Sequence, residues 1–156
     1  KNLGPEFWPQ LRDGQWWQSI LENRKARLYT LLLNQYVVAG IGNIIALETM
    51  HNLGLSLNVR PNELSLEQWG EFSTAIRTVV DASMYHHNSL RITEQKSSDP
   101  FRGELLFVSE GHTVAKGFTI YGRSGEKCRN CTDGIIIKSR IQGRPTYACN
   151  HCQAPT

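Results

Sequence analysis

The first 127 of the chain's 156 residues contain no cysteine, and the sequence has no long apolar run. Apolar runs such as those at residues 31–33 and 135–137 fall far short of the roughly 18 residues that a membrane helix needs, so a spanning segment is excluded. The chain starts without an initiator methionine or an apolar signal core, which suggests processing, or excision from something longer, rather than secretion. What is present, 40% hydrophobic and 20% charged residues, predicts a folded monomer of one ordinary domain or two small ones.

The four cysteines, Cys128, Cys131, Cys149 and Cys152, form two C-x2-C pairs with 17 residues between them. This is the spacing of a four-thiolate zinc site, and the interval has room for the two strands of a hairpin. Disulfides are the alternative, although they are typical of small secreted scaffolds. His151 lies within the second pair and is expected to be an exposed neighbour rather than a ligand. The pattern therefore predicts one structural zinc ion.

Charge is distributed unevenly along the chain, although its total is only +3. Residues 112–156 contain seven basic and two acidic residues, a net charge of +5, which leaves −2 on the first 111 residues. A small basic hairpin held by a metal is typical of a surface that contacts phosphates, because neutralising phosphates releases condensed counterions. The alternative is a solvated ribbon with no partner.

Apolar residues recur at helical spacing over residues 15–24, 28–36 and 44–53, which predicts three helices. Gly54 is well placed just past the end of the third. Ser65 with Gln68 three residues later forms a capping box for a fourth helix.

Two further segments have less regular patterns. Residues 88–117 show no clear period and predict a long loop. Residues 118–121 predict a short strand that leads into the first cysteine pair. The fold class is therefore mainly α, with a small β hairpin at the end.

The sequence Gly40-Ile41-Gly42-Asn43 interrupts the helical pattern with a tight turn. A dinucleotide-binding loop is disfavoured because Ile45 stands where its third glycine belongs. Two glycines can instead expose the first amides of the next helix to an anion, with Asn43 capping that helix or contacting the anion. A purely structural turn remains open on spacing alone.

Three motifs occur in order: LNQYVVAGIGNI at residues 33–44, YGRSGEKC at 121–128 and GRPTYACNHCQ at 143–153. Together they closely resemble the carboxyl-terminal half of the formamidopyrimidine-DNA glycosylase and endonuclease VIII family. The resemblance runs from about residue 3 to residue 153. It implies a helix-two-turns-helix DNA-binding module over residues 1–117, followed by a zinc finger over residues 118–156.

Members of this family remove oxidised bases in base-excision repair and nick the resulting abasic strand. They use an amino-terminal proline that forms a Schiff base, followed by a glutamate acid, on a separate domain. Here the chain begins with Lys1-Asn2 and that domain is missing, so the chain alone is expected to be inactive. The implied partners are double-stranded DNA with a damaged base or abasic site and the missing catalytic domain. The implied location is cytoplasmic at the nucleoid in a bacterium, or nuclear in a eukaryote.

The resemblance also implies site residues. Gly42 and Asn43 are implied DNA-binding residues, and Asn43 matches the asparagine that contacts a backbone phosphate. Arg144 matches the fingertip arginine that grips phosphates flanking the lesion and is implicated in the second strand-cleavage step. Lys25 matches a DNA-contacting lysine, with adjacent Arg24 as the alternative register.

The chain departs from the family pattern at several positions. Tyr29 and Thr30 occupy a Lys-Pro position of many members, and Asn34 replaces an aspartate. The span between the cysteine pairs is one residue longer than in the bacterial formamidopyrimidine enzymes. These differences leave the preferred lesion open.

Two hypotheses without catalysis compete with the repair enzyme. One is a stand-alone DNA- or RNA-binding module, and the other is a zinc-ribbon interaction protein with no nucleic-acid role. Under each of these hypotheses, the helical core is expected to be built separately from the finger. Removing the metal is therefore predicted to unfold residues 118–153 and to spare the helices.

Overall fold

The computed structural model describes residues 2–10, 12–93 and 118–155, without the side chains of residues 82–93. Within these ranges, four α-helices precede a two-stranded hairpin. The elements are α1 (Gly14–Leu21), α2 (Leu28–Leu32), α3 (Asn43–Asn52), a 3-10 turn (Pro61–Glu63), α4 (Leu66–Thr93), β1 (Ile136–Ile141) and β2 (Arg144–Cys149). This order confirms the mainly α class with a hairpin near the carboxyl end.

Aromatic side chains join α1 to α4. Asp13 caps α1, its side chain accepting a hydrogen bond from the Trp16 backbone N–H at 2.8 Å. This start directs Trp17 inward, where its ring meets that of Phe72 edge to face, with the centroids 5.0 Å apart. Such pairs stabilise a core beyond the area they bury. The first and last helices thereby form the frame that supports α3.

The beginning of α4 confirms the predicted capping box. The Ser65 N–H donates to Gln68 Oε1 at 2.9 Å, and the Gln68 N–H donates to Ser65 Oγ at 3.2 Å. Gly54 likewise follows α3 in the left-handed region, at φ +64°. The predicted start of a loop at residue 88 is wrong, because α4 continues to Thr93. The rest of the predicted loop, residues 94–117, lies outside the described residues.

Strands β1 and β2 pair antiparallel, with Ile136 opposite Cys149 and Ile141 opposite Arg144. The tight turn between them uses Gln142 and Gly143, both with positive φ. The hairpin therefore occupies the interval between the cysteine pairs, as predicted. The strand predicted at residues 118–121 is wrong, because this segment forms bends and turns instead.

The finger and the helices share one hydrophobic core. Ile120, Ile136 and Tyr147 belong to the same buried cluster as Leu47 and Met50 of α3. The expectation of a helical core built separately from the finger is therefore wrong. No helix within the described ranges is long and apolar enough to cross a membrane.

Candidate metal centre and nucleic-acid interface

The Sγ atoms of Cys128, Cys131, Cys149 and Cys152 all lie within 4.8 Å of one another. Cys128 and Cys152 are 3.8 Å apart, and Cys131 and Cys149 are 3.6 Å apart. A tetrahedral zinc ion with Zn–S bonds of about 2.3 Å requires sulfurs separated by about 3.8 Å. The cluster can therefore hold a metal ion, and these two separations are close to those around a tetrahedral zinc.

Local backbone geometry turns these sulfurs toward a common point. The N–H groups of Asn130 and His151 donate to the sulfurs of Cys128 and Cys149, each at 3.3 Å. Gly134 makes room for the arrangement, since a Cβ atom there would lie 2.1 Å from Cys149 Sγ. The His151 side chain is exposed, as expected, and its interaction with Cys131 helps to lower the pKa of that thiol.

A second histidine, His51 of α3, contacts the metal centre from the helical side. Its Nε2 lies 3.2 Å from Cys128 Sγ, and its carbonyl oxygen accepts a hydrogen bond from Asn130 Nδ2 at 2.9 Å. Burial and, secondarily, the charge of Arg123 lower the pKa of His51 to about 4. The imidazole is therefore neutral near pH 7 and can donate a hydrogen bond to a thiolate sulfur.

The segment before the finger is held by the buried carboxylate of Glu48 on α3. Oε1 accepts from the N–H and hydroxyl groups of Thr119, and Oε2 accepts from the N–H groups of Ile120 and Tyr121, both at 2.9 Å. Burial raises the pKa of Glu48, while these hydrogen bonds act in the opposite direction. The four donors explain why residues 118–121 form bends rather than a strand: their amides bind a carboxylate.

Sequence reasoning missed Glu48 and His51, although the composition of α3 contained a signal. Glu48 is the only Asp, Glu, Lys or Arg in this ten-residue helix, and residues 46–51 are all buried. A helix with so few charges is buried on several sides, and a buried carboxylate requires hydrogen-bond donors. The signal predicts that Glu48 is paired but does not identify its partner 71 residues away.

The turn before α3 contains the predicted glycines Gly40 and Gly42, but the backbone conformation requires glycine at only one of them. Gly40 adopts φ +101°, which favours glycine, whereas Gly42 has φ −99° and open space around its Cβ position. Gln35 braces the turn by accepting from the Gly40 N–H at 2.9 Å and donating to the Ile41 carbonyl at 3.0 Å. The positive φ therefore explains why residue 40 is a glycine. Gly42 is exposed, so the start of α3 is accessible to a ligand from that side.

Asn43 connects this turn to the finger. Of the two roles expected for Asn43, capping α3 is wrong, because Gly42 occupies the cap position and no side chain caps the helix, and contact with an anion stays a prediction. The Asn43 Oδ1 accepts from the Tyr29 hydroxyl at 2.6 Å, and Nδ2 donates to the Pro145 carbonyl at 2.9 Å. The residue that follows Arg144 is thereby fixed against α3.

Arg144 is exposed beside the hairpin turn, close enough to act on Tyr29 electrostatically. Burial raises the pKa of Tyr29, and the charge of Arg144 opposes that shift. The structure therefore brings together Asn43 and Arg144, two predicted site residues that are 101 positions apart in sequence.

Not every basic residue counted in the finger is available to a ligand. Arg123 is only 3% exposed and donates to the carbonyl oxygens of Thr119 and Lys127. It also lies 3.6 Å from the Glu126 carboxylate. The count of +5 thus overstates the positive charge at the finger surface.

Tyr29→Phe provides a test of the connection between the turn and the finger. Removing the hydroxyl while retaining the buried ring is expected to reduce the free energy of unfolding by about 1 kcal/mol, because the hydrogen bond to Asn43 is lost. Urea unfolding of Tyr29→Phe, Asn43→Ala and the double variant forms a thermodynamic cycle. Strictly additive effects would contradict a direct interaction between the two side chains.

Comparison with known proteins finds relatives over nearly the whole chain. Formamidopyrimidine-DNA glycosylase of Xanthomonas oryzae pv. oryzae is 30% identical over 152 residues, which cover 97% of this chain and 52% of the relative. The enzyme of the same name from Rhizorhabdus wittichii is 33% identical over 155 residues, with 98% and 52% covered. The chain is similar to one half of these formamidopyrimidine-DNA glycosylases. It spans about half the length of the curated glycosylases that it matches. No family model matches the chain.

Solved glycosylase structures have the same fold. The Lactococcus lactis glycosylase in complex with DNA that contains an abasic site superposes with a TM-score of 0.69 at 26% identity, covering 98% of this chain and 52% of that one. Another structure of that enzyme, non-covalently bound to DNA with an abasic site, gives a TM-score of 0.70 at 23% identity, covering 98% and 50%. The second similarity is evidence of fold alone.

Proposed function

We propose that this chain is the DNA-binding half of a bifunctional DNA glycosylase and abasic-site lyase. Its DNA-binding surface comprises the turn at residues 40–43 and the fingertip at Arg144. The observation that carries this proposal is the hydrogen bond from Asn43 Nδ2 to the Pro145 carbonyl, which holds the two parts together. The first N–H groups of α3 have no side-chain cap, so they suit a phosphate.

The similarity to glycosylases crystallised with damaged or abasic-site DNA supports this assignment. In this proposal α2, the turn and α3 belong to a helix-two-turns-helix module within residues 1–117, and residues 118–156 form the finger. In this proposal, base removal and strand cleavage require the half of the glycosylase that this chain does not match. Arg144 contributes to the second strand cleavage only together with that half.

The proposed metal is one structural zinc ion held by the four cysteines. Four thiolates fill a tetrahedral site and leave no position for a reactive water molecule. Zinc would supply folding energy to the finger rather than chemistry. The sulfur separations and the hydrogen bonds to Cys128 and Cys149 support this choice.

Lys25 is the proposed additional phosphate contact. It is exposed in the connection between α1 and α2. The neighbouring Arg24 donates from Nε to the Ile20 carbonyl at 2.9 Å, which restrains its guanidinium group. This difference favours Lys25 over Arg24 as the side chain that reaches DNA.

The proposal is tested by titrating the zinc-loaded chain into a fluorescent duplex that contains an abasic site. Binding at about 50 mM salt that weakens steeply as salt rises is expected, because phosphate contacts release counterions. An affinity that is absent, or independent of salt, would refute the DNA-binding assignment.

Arg144→Ala is expected to weaken binding and to reduce the slope of log K against log salt by about one unit, since one phosphate contact is lost. Arg77→Ala is the matched control, because it removes the same charge from α4, where Arg77 lines a separate cleft beside α1. Equal slopes for Arg144→Ala and the wild type would remove Arg144 from the interface.

A further inference from the structure

A second concentration of positive charge lies between α2 and the hairpin turn. Arg27, Arg60 and Arg140 line an open cleft of about 450 Å³ there, called the arginine cleft below. Arg27 immediately precedes α2, Arg60 immediately precedes the 3-10 turn, and Arg140 belongs to β1. The fold thus assembles three arginines from distant parts of the sequence.

The charge of the arginine cleft is not neutralised within the described part of the chain. All three arginines are exposed, and none forms an ion pair with an acidic residue that the structure describes. The nearby Glu63 carboxylate instead accepts a hydrogen bond from the backbone N–H of Arg60, at 2.6 Å. Like charges repel when brought together without a counter-charge, so this arrangement favours a bound anion.

Two of the guanidinium groups are already held in place. Arg60 Nη1 donates to the Lys25 carbonyl, and Arg140 Nη1 donates to the Gly143 carbonyl at 2.9 Å. Each of these contacts uses one of the five N–H donors of a guanidinium group, which leaves the others for a ligand. Restrained arginine side chains suit phosphate oxygens, because the planar group can donate two parallel hydrogen bonds and loses little entropy on binding.

The arginine cleft adjoins the proposed DNA surface without being part of it. Arg140 pairs with Pro145 across the hairpin, and the Pro145 carbonyl accepts from Asn43. Neither Asn43 nor Arg144 lines the cleft. A nucleic-acid strand that contacts Asn43 and Arg144 therefore has this second basic site beside it.

We infer that the arginine cleft binds a further backbone phosphate of the same DNA. This inference rests on the proposed function and adds a contact beyond those proposed for the turn, the fingertip and Lys25. The ligand is a phosphodiester group read by charge and shape, so the cleft contributes affinity and register without base specificity.

The test uses the 156-residue zinc-loaded chain and the abasic-site duplex, with binding measured from about 50 to 200 mM salt. Arg60→Ala with Arg140→Ala is expected to reduce the slope of log K against log salt by about one unit, with no comparable change for Arg77→Ala. Arg140→Ala alone is expected to reduce the slope in the same direction while leaving the Arg60 contact with the Lys25 carbonyl intact. Circular dichroism checks that each variant is folded.

The outcomes separate this inference from the proposed function. A slope lowered by Arg144→Ala but unchanged by both cleft variants would overturn the phosphate site in the arginine cleft and leave the DNA-binding assignment standing. A wild-type chain that does not bind the duplex would refute both. Slopes lowered by Arg144→Ala and by the cleft variants, with Arg77→Ala unchanged, would support two separate phosphate contacts.

Discussion

Replacing Glu48 by glutamine is expected to lower the free energy of unfolding by roughly 2–5 kcal/mol, because buried hydrogen-bond donors lose their acceptor. The carboxylate accepts from the Thr119 N–H and hydroxyl at one oxygen, and from the Ile120 and Tyr121 N–H groups at the other. A glutamine has one acceptor oxygen, and its NH₂ group would face N–H donors. Urea unfolding followed by tryptophan fluorescence measures the loss.

Glu71→Gln is the control for this substitution, because it makes the same chemical change at an exposed position of α4. A change within about 0.5 kcal/mol is expected there, as for most surface substitutions. Equal effects of Glu48→Gln and Glu71→Gln would contradict the role of Glu48 in holding residues 118–121.

Removing the metal is expected to unfold the finger and also to destabilise α3. Without the ion, four thiols within 4.8 Å of one another have no common ligand, and the hairpin loses the link between its two ends. Because Cys128 and Cys149 belong to the core shared with α3, loss of the metal is also expected to lower the stability of that helix. Hydrogen exchange should lose protection in residues 118–155 and in α3, while α1 and α4 retain more.

The variants His151→Ala and Cys131→Ala distinguish a residue that binds the metal from one that only lies beside it. His151→Ala is expected to retain one zinc ion per chain, because His151 lies outside the sulfur cluster. Cys131→Ala is expected to bind zinc much more weakly and to resemble the chelated protein. A chelated chain with unchanged exchange in residues 118–155 would contradict a structural metal.

Features determined by neighbouring residues could be predicted from the sequence. The Ser65 and Gln68 capping box and the left-handed Gly54 depend on residues within one helical turn, so their local chemistry decides them. The cysteine spacing predicted the hairpin for the same reason, since a short loop closed by a metal has few ways to fold.

Features that depend on distant partners could not be predicted. Glu48 meets Thr119 across 71 residues, and Asn43 meets Pro145 across 102. Periodicity reveals which face of a helix is buried but not which loop covers it. The strand expected at residues 118–121 failed for this reason, because binding of its amides by Glu48 outweighed local β preference.

In the proposed function, one surface formed by the start of α3 and the fingertip binds DNA. Nuclear magnetic resonance of the isotope-labelled 17.7 kDa chain during titration with the abasic-site duplex locates that surface residue by residue. We predict the largest shifts at the amides of Asn43, Ile44 and Arg144, with small changes at Arg77 on α4. Shifts centred on α4, with the amides of residues 42–44 and 143–144 unmoved, would contradict the account.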